Sequence, residues 1–263
     1  MLRIYQVYLK TALSIYLQYR FSTVIYMSNR VIEPTVMLAI WSAVATIRGE
    51  VGGYSIADLA TYFITMMVVN QLTYSATFHH FEWRVRSGEL SLELLRPLHP
   101  IHADITENIA DKSFSLLAMI PVVVVLSILF RPAFDSNVAM FLLAFAALIP
   151  AYCIRFFTDW IFAMSAFWTT RASALAEIYL VFELFFYGRF APMELLPPWL
   201  ERISWLLPFR WAVWFPVELA LNRLSRDEIV TGFMMQAFWL VATLLLLRVV
   251  WLRGLRKFTA VGG

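Results

Sequence analysis

Six stretches of this chain are long and apolar enough to cross a membrane, and no other feature constrains its fold as tightly. They fall at roughly 22–47, 57–80, 113–131, 137–165, 173–190 and 229–252. About twenty apolar residues in a helix cross the roughly 30 Å hydrocarbon layer. Inside that layer each backbone N–H and C=O must find its partner without water, which selects helices. The expected fold is therefore an all-α integral membrane protein with six transmembrane helices. Composition agrees: 61% of the 263 residues are hydrophobic and 15% are charged, where a soluble domain carries about 25% charge.

The net charge of +3 is spread over many segments, which is not the footprint of a nucleic-acid partner. In a membrane protein it reports topology and contact with lipids. Cys153 is the single cysteine and sits in an apolar run. It excludes an intrachain disulfide and reads as a small buried hydrophobe.

Residues 1–21 precede the first span. Arg3, Gln6, Lys10, Ser14 and Gln18 recur every three or four positions, opposite Tyr5, Leu9, Leu13 and Tyr16. This spacing predicts an amphipathic interfacial helix lying along the membrane surface. No cleavable signal peptide is expected. Residues 22–263 form the six-helix transmembrane domain. With the N-terminus inside, the inner segments hold twelve Lys and Arg, including Arg20 and Arg171, and the outer segments seven. That bias places both termini in the cytoplasm.

Two connections are long. In the inner loop 81–112, Gly88 breaks one helix and Pro97 ends the next. Between them lies a short helix with Leu90, Leu94 and Leu95 beside Glu89, Glu93 and Arg96. Such a piece suits docking into a groove of a soluble partner. The outer segment 188–228 holds Trp199, Trp205, Trp211 and Trp214, and indoles prefer the membrane–water interface. Pro198 and Pro208 stand as first-turn prolines of two short outer re-entrant helices before the last span.

Charges inside spans are costly and face a bundle interior, a cavity or a partner. Arg155 and Asp159 are four apart and predicted to pair; Arg30 and Glu33, three apart, are predicted to do likewise. Glu183 has no local partner and is the candidate for a pathway or interface role. His79, His80, His99 and His102 all lie in or beside the inner loop, and Pro100 argues against a helical metal pair at His99 and His102. No metal site and no catalytic site is expected.

The stretch Gly88-Glu89-Leu90-Ser91-Leu92-Glu93-Leu94-Leu95-Arg96-Pro97-Leu98 resembles the cytoplasmic loop of ABC-2-type permeases, with its Gly-x-Leu-x-x-x-Leu-Leu-x-Pro pattern. Gly188 to Leu200, with Pro192, Pro197 and Trp199, followed by Leu207-Pro208-Phe209, resembles that family's segment before the last span. Order and spacing match along nearly the whole chain. Within the family the chain looks closest to the branch in which two different permease chains share one ATPase type. The resemblance implies a non-catalytic permease subunit of an ATP-driven exporter in a bacterial inner membrane. Its partners would be ABC ATPase subunits, a second, related permease chain and membrane lipids. ATP and magnesium would sit on the ATPase, and this chain would bind no cofactor. Arg84, Arg86, Gly88, Glu89, Leu90, Glu93, Leu94, Leu95, Arg96 and Pro97 would couple to the ATPase. The chain has no Gly-x-x-x-x-Gly-Lys-Ser/Thr phosphate loop.

Two other classes compete. An intramembrane enzyme needs a nucleophile and base or a metal set at depth, and the spans offer none. A secondary transporter or channel could use Arg155, Asp159 and Glu183 as an ion relay. No inverted repeat is visible to favour it.

Overall fold

The computed structural model describes residues 2–75, 77–134, 137–169 and 172–258, apart from the side chains of 2, 20, 22–24, 26–29, 79 and 173. Arg171 and the side chains of Arg20 and His79 lie outside the described residues. Twelve α-helices and two short 3-10 turns make up the fold, with no strand among the described residues.

The N-terminal helix α1 (Leu2–Gln18) is followed directly by α2 (Arg20–Arg48), which carries Pro34. The helix α3 (Ile56–Thr73) starts at a capping box, in which Ser55 and Asp58 satisfy each other's backbone N–H groups. Next come α4 (Thr77–Arg86), α5 (Glu89–Leu94) and the 30-residue α6 (Ile101–Phe130). The helix α7 (Val138–Ala163) runs into a 3-10 turn, Met164–Phe167. After α8 (Ala172–Phe186) three short helices follow: α9 (Pro198–Trp205), α10 (Pro208–Ala212) and α11 (Trp214–Ala220). The last helix, α12 (Arg226–Lys257), opens on a second capping box, Ser225 with Glu228.

Among the described residues, four segments are long and apolar enough to cross a membrane: Arg30–Arg48, Ile101–Phe130, Val138–Phe167 and Arg226–Lys257. The other two expected spans are shorter. The stretch 57–80, read as one helix, is two: α3 stops at Thr73, where Tyr74 turns extended. The break is stable because its freed polar groups are met. The Lys112 ammonium donates to the Tyr74 carbonyl at 2.5 Å, and Ser75 and Thr77 share a hydrogen bond. At 173–190, α8 is 15 residues long and ends at Phe186.

The helix α3 is central. Twelve of its 18 residues are buried, and it packs against α2, α6, α7 and α11. Two aromatic clusters mark opposite ends of α7 and α12. At one end Phe81, Trp160, Phe167 and Trp251 meet, with Ala172 at the start of α8 and Leu90 of α5. At the other end Trp211, Trp214 and Phe215 meet Ala144 and Ala147. The helix α8 runs from the first end towards the second, where Phe185 packs against Phe190. Gly232 and Gly254 let α12 approach both clusters. A Cβ at Gly232 would strike the Phe215 ring, and one at Gly254 the Phe167 ring. Small residues at crossings are how helices pack closely where lipid removes the hydrophobic drive.

Candidate functional site

A line of paired charges runs through the middle of the helix bundle. Arg155 on α7 is fully buried. Its Nη1 donates to the Asn70 side-chain oxygen at 2.7 Å and to the Thr73 hydroxyl at 3.3 Å, both on α3. Its Nη2 donates to Glu183 on α8 at 3.1 Å. The other Glu183 oxygen accepts from Arg189 at 3.1 Å, and Arg189 also donates to Glu33 on α2. Glu183, read as lacking a local partner, thus joins two arginines. The predicted Arg155–Asp159 pair is replaced by Arg155–Glu183. Asp159 instead accepts from the Tyr179 hydroxyl at 2.5 Å. An i,i+4 pair on one helix leaves a guanidinium mostly unsatisfied, whereas neighbouring helices supply acceptors in several directions.

The predicted Arg30–Glu33 pair is also replaced. Arg30 reaches Asp111 of α6 through two bonds, 2.6 and 3.2 Å, and lies over the Tyr74 ring. This bidentate geometry is stronger than one side-on contact along a single helix. Asp104, Asp111 and Lys112 were read as loop residues because the third span was begun at 113. The helix starts twelve residues earlier, at Ile101, and carries them into the bundle.

At one end of the bundle, α5 stands out from the fold. Gly88 takes φ +78°, a left-handed conformation that other L residues avoid, and so turns the chain between α4 and α5. The helix is fixed from inside by Arg84, which is 1% exposed. Arg84 donates to Glu93 at 3.1 Å and to Asp104 at 2.7 Å, tying α4, α5 and α6 together. Leu90 is fully buried beneath it. Leu90 and Glu93, read as outward-facing, therefore point into the chain, because α5 must satisfy its own anchor first. Leu92, Leu94 and Leu95 face outwards, at 63%, 36% and 83% exposure. Arg86 pairs with Glu82 at 3.6 Å, and Arg96 and Pro97 are exposed, with Glu89 half-buried.

His99 and His102 go separate ways. The Ile101 N–H donates to His99 Nδ1 at 3.2 Å, and the Tyr5 hydroxyl meets His102 Nδ1 at 2.5 Å. Burial, helped by nearby His102, pushes the His99 imidazole below its ordinary pKa and keeps Nδ1 an acceptor.

The opposite end is built from α9, α10 and α11. Pro198 and Pro208 occupy first-turn positions. The Tyr62 hydroxyl donates to the Gly188 carbonyl at 2.9 Å, and a Cβ on Gly188 would collide with that oxygen. Pro192 and Pro197 flank the 3-10 turn Met193–Leu195 and α9 as their cap residues. Trp199 is exposed, while Phe209 is buried among Tyr179, Phe186 and Tyr187. The Arg210 guanidinium lies over Trp205 and Trp214, 4.5 and 3.7 Å from their centroids. Burial and the neighbouring Glu194 push the Glu218 carboxyl up to about 8.

Residues 31–262 match the family model of the ABC-2 family transporter proteins. The chain belongs to that family. No curated protein matches it. As an ABC-2 family member it is a membrane transport component, and the family implies association with ATPase subunits. The residues of this ABC-2 protein that sequence reasoning missed are Asn70, Asp104, Asp111, Tyr179 and Arg189. Of these, only Asp111 carried a signal in the sequence: it lies next to Lys112 at the mouth of an apolar run.

Proposed function

We propose that the chain is the permease subunit of an ATP-driven exporter and that α5 is its coupling helix. The observation that carries this reading is the outward face of α5. Leu92, Leu94 and Leu95 are exposed on a short helix whose inner face is held by Arg84 and Leu90. A rigidly anchored helix transmits displacement; a floppy loop does not. The ten residues Arg84, Arg86, Gly88, Glu89, Leu90, Glu93, Leu94, Leu95, Arg96 and Pro97 form this element, the buried ones as anchors and the exposed ones as contacts.

Six crossings fit the geometry: the four long helices, α3 with α4, and α8, whose ends reach opposite aromatic clusters. The Lys and Arg bias supports placing α5 and both termini in the cytoplasm, and the family resemblance suggests a bacterial inner membrane. The helices α9 and α10 then form the outer re-entrant pair. A second, related permease chain completes the path. Hydrolysis of ATP with magnesium belongs to the ATPase.

In the rival reading, a secondary transporter, Arg155, Asp159 and Glu183 relay ions. Each of the three is instead tied to a fixed partner, which suits a structural lock. The experiment is mild-detergent purification of the tagged chain from its native host. A stoichiometric ATPase is expected with the wild type and lost with Leu92→Asp/Leu95→Asp. An ATPase retained by that variant would move the docking site away from α5. No ATPase with the wild type, together with ionophore-sensitive transport, would overturn the exporter reading.

A further inference from the structure

Beside the anchor of α5 lies a second cluster that coupling does not use. His80 on α4 faces Asp104 and Glu107 on α6, and one ligand atom from each lies within 4.8 Å of the others. Asp104 and Glu107 are three apart, so they share a face of α6. His80 Nδ1 and Glu107 Oε2 are 3.3 Å apart. The three side chains line a cavity of about 30 Å³ with Thr77, Asn108 and Asp111. That is room for one or two water-sized ligands.

The local charge is unbalanced. Among the described residues, Arg84 is the guanidinium that meets Glu93 and Asp104, at 3.1 and 2.7 Å, while Glu107 has the imidazole of His80. Among the described residues one guanidinium thus stands against three carboxylates, with the His80 imidazole as the partner of Glu107. Buried and half-buried carboxylates in excess of their partners favour a cation.

We propose that His80, Asp104 and Glu107 form a binding site for one divalent transition cation, zinc or manganese. An imidazole with two carboxylates is a mixed nitrogen and oxygen set that suits these ions. Ligand atoms around a tetrahedral zinc stand roughly 3.4 Å apart, so closing from separations of at most 4.8 Å needs a modest movement. His80 and Glu107 are free to make it, with side chains 45% and 47% exposed. Asp104 keeps Arg84 on one oxygen and has a second to offer. The bound ion would clasp α4 to α6 directly behind the Gly88 turn, and would stiffen the base of α5. This inference rests on the cluster alone and stands whether or not α5 meets an ATPase.

The test is titration of zinc ion, then manganese ion, into the chelator-stripped full chain carrying a tag without histidines. Calorimetry should give one equivalent for the wild type. His80→Ala and Glu107→Gln should each weaken binding at least tenfold, and His102→Ala should leave it unchanged. No saturable site in the wild type overturns the proposal. Equal affinity in all four proteins does so too, since the ion then sits elsewhere. Both substituted side chains are half exposed, and if one variant loses its folded yield the other decides alone.

Discussion

Arg155 is fully buried, and its bonding partners come from helices other than its own. Asn70 and Thr73 of α3 and Glu183 of α8 converge on it. Removing one member of a buried ion pair strands the other, at about 3–5 kcal/mol. Glu183→Gln strands the Arg155 guanidinium and leaves Arg189 with Glu33 alone. The variant should melt several degrees lower in detergent and also lose transport. Glu183→Gln/Arg155→Gln should recover part of the loss, because the double change removes the stranded buried charge and coupled sites are not additive. Equal melting of wild type and Glu183→Gln would mean that the network is not holding the fold. Glu218 makes a second residue-scale prediction. Its carboxyl titrates near 8 in the folded chain because burial disfavours its charge. The folded state then binds more protons than the unfolded state between about pH 4.3 and 8, so stability falls as pH rises through that range. Glu218→Gln removes this contribution. Its melting temperature should exceed that of the wild type at pH 8.5, and the difference should shrink towards pH 5. That the spans hold charged residues was legible from residue type. The partners were not: Arg30 finds Asp111 81 positions away and Arg189 finds Glu33 156 positions away. Such pairings are set by how helices cross, which no local spacing encodes.

Elements were read more faithfully than their contacts. Gly88 and Pro97 bracket α5 as turn chemistry requires; the capping boxes of α3 and α12, Ser55 with Asp58 and Ser225 with Glu228, went unread. Hydropathy located α2, α6, α7 and α12, but it misplaced the start of α6. A window average cannot see that Asp104 and Asp111 are carried inside by arginine partners. It also missed the break after Thr73, which depends on Lys112 reaching Tyr74. The orientation of α5 was hidden for the same reason: Leu90 and Leu94 look alike until Arg84 decides which face is anchored. Arg84→Gln should therefore release α5 while leaving the long helices intact. Hydrogen exchange over residues 88–96 should speed up well beyond that of α6, and ATPase recovery should fall. If exchange there is unchanged, the anchor lies elsewhere. The crossings of α12 give a matching test. Gly254→Leu drives a side chain into Phe167 and should cost about 1–3 kcal/mol by overpacking. Leu252→Ala, on a half-exposed position two residues away, should cost much less.

On the scale of the whole molecule, the question is how many times the chain crosses. The helix α5 and the short helices α9 to α11 sit at opposite ends of α7 and α12. If α12 spans the membrane, these two groups face opposite compartments. Along the chain, α6, α7 and α8 lie between them. Two of these qualify as spans by length and hydropathy; α8, at 15 residues, does not. Two crossings would return α9 to the side of α5, and three would put it across. On the proposed six-span topology α8 crosses, and the bilayer must thin locally or let flanking residues reach the interface around a helix this short. The tryptophans of α9 and α10 sit where such an accommodation would be needed. The single cysteine makes this testable. In a Cys153→Ala background, Leu95→Cys and Arg202→Cys place thiols on α5 and α9, at side chains that are both exposed. A membrane-impermeant maleimide applied to intact cells should modify Arg202→Cys and leave Leu95→Cys untouched until the membrane is opened. Labelling of both from one side would mean that α8 turns back, and the parity of crossings, with the cytoplasmic placement of α5, would have to be redrawn.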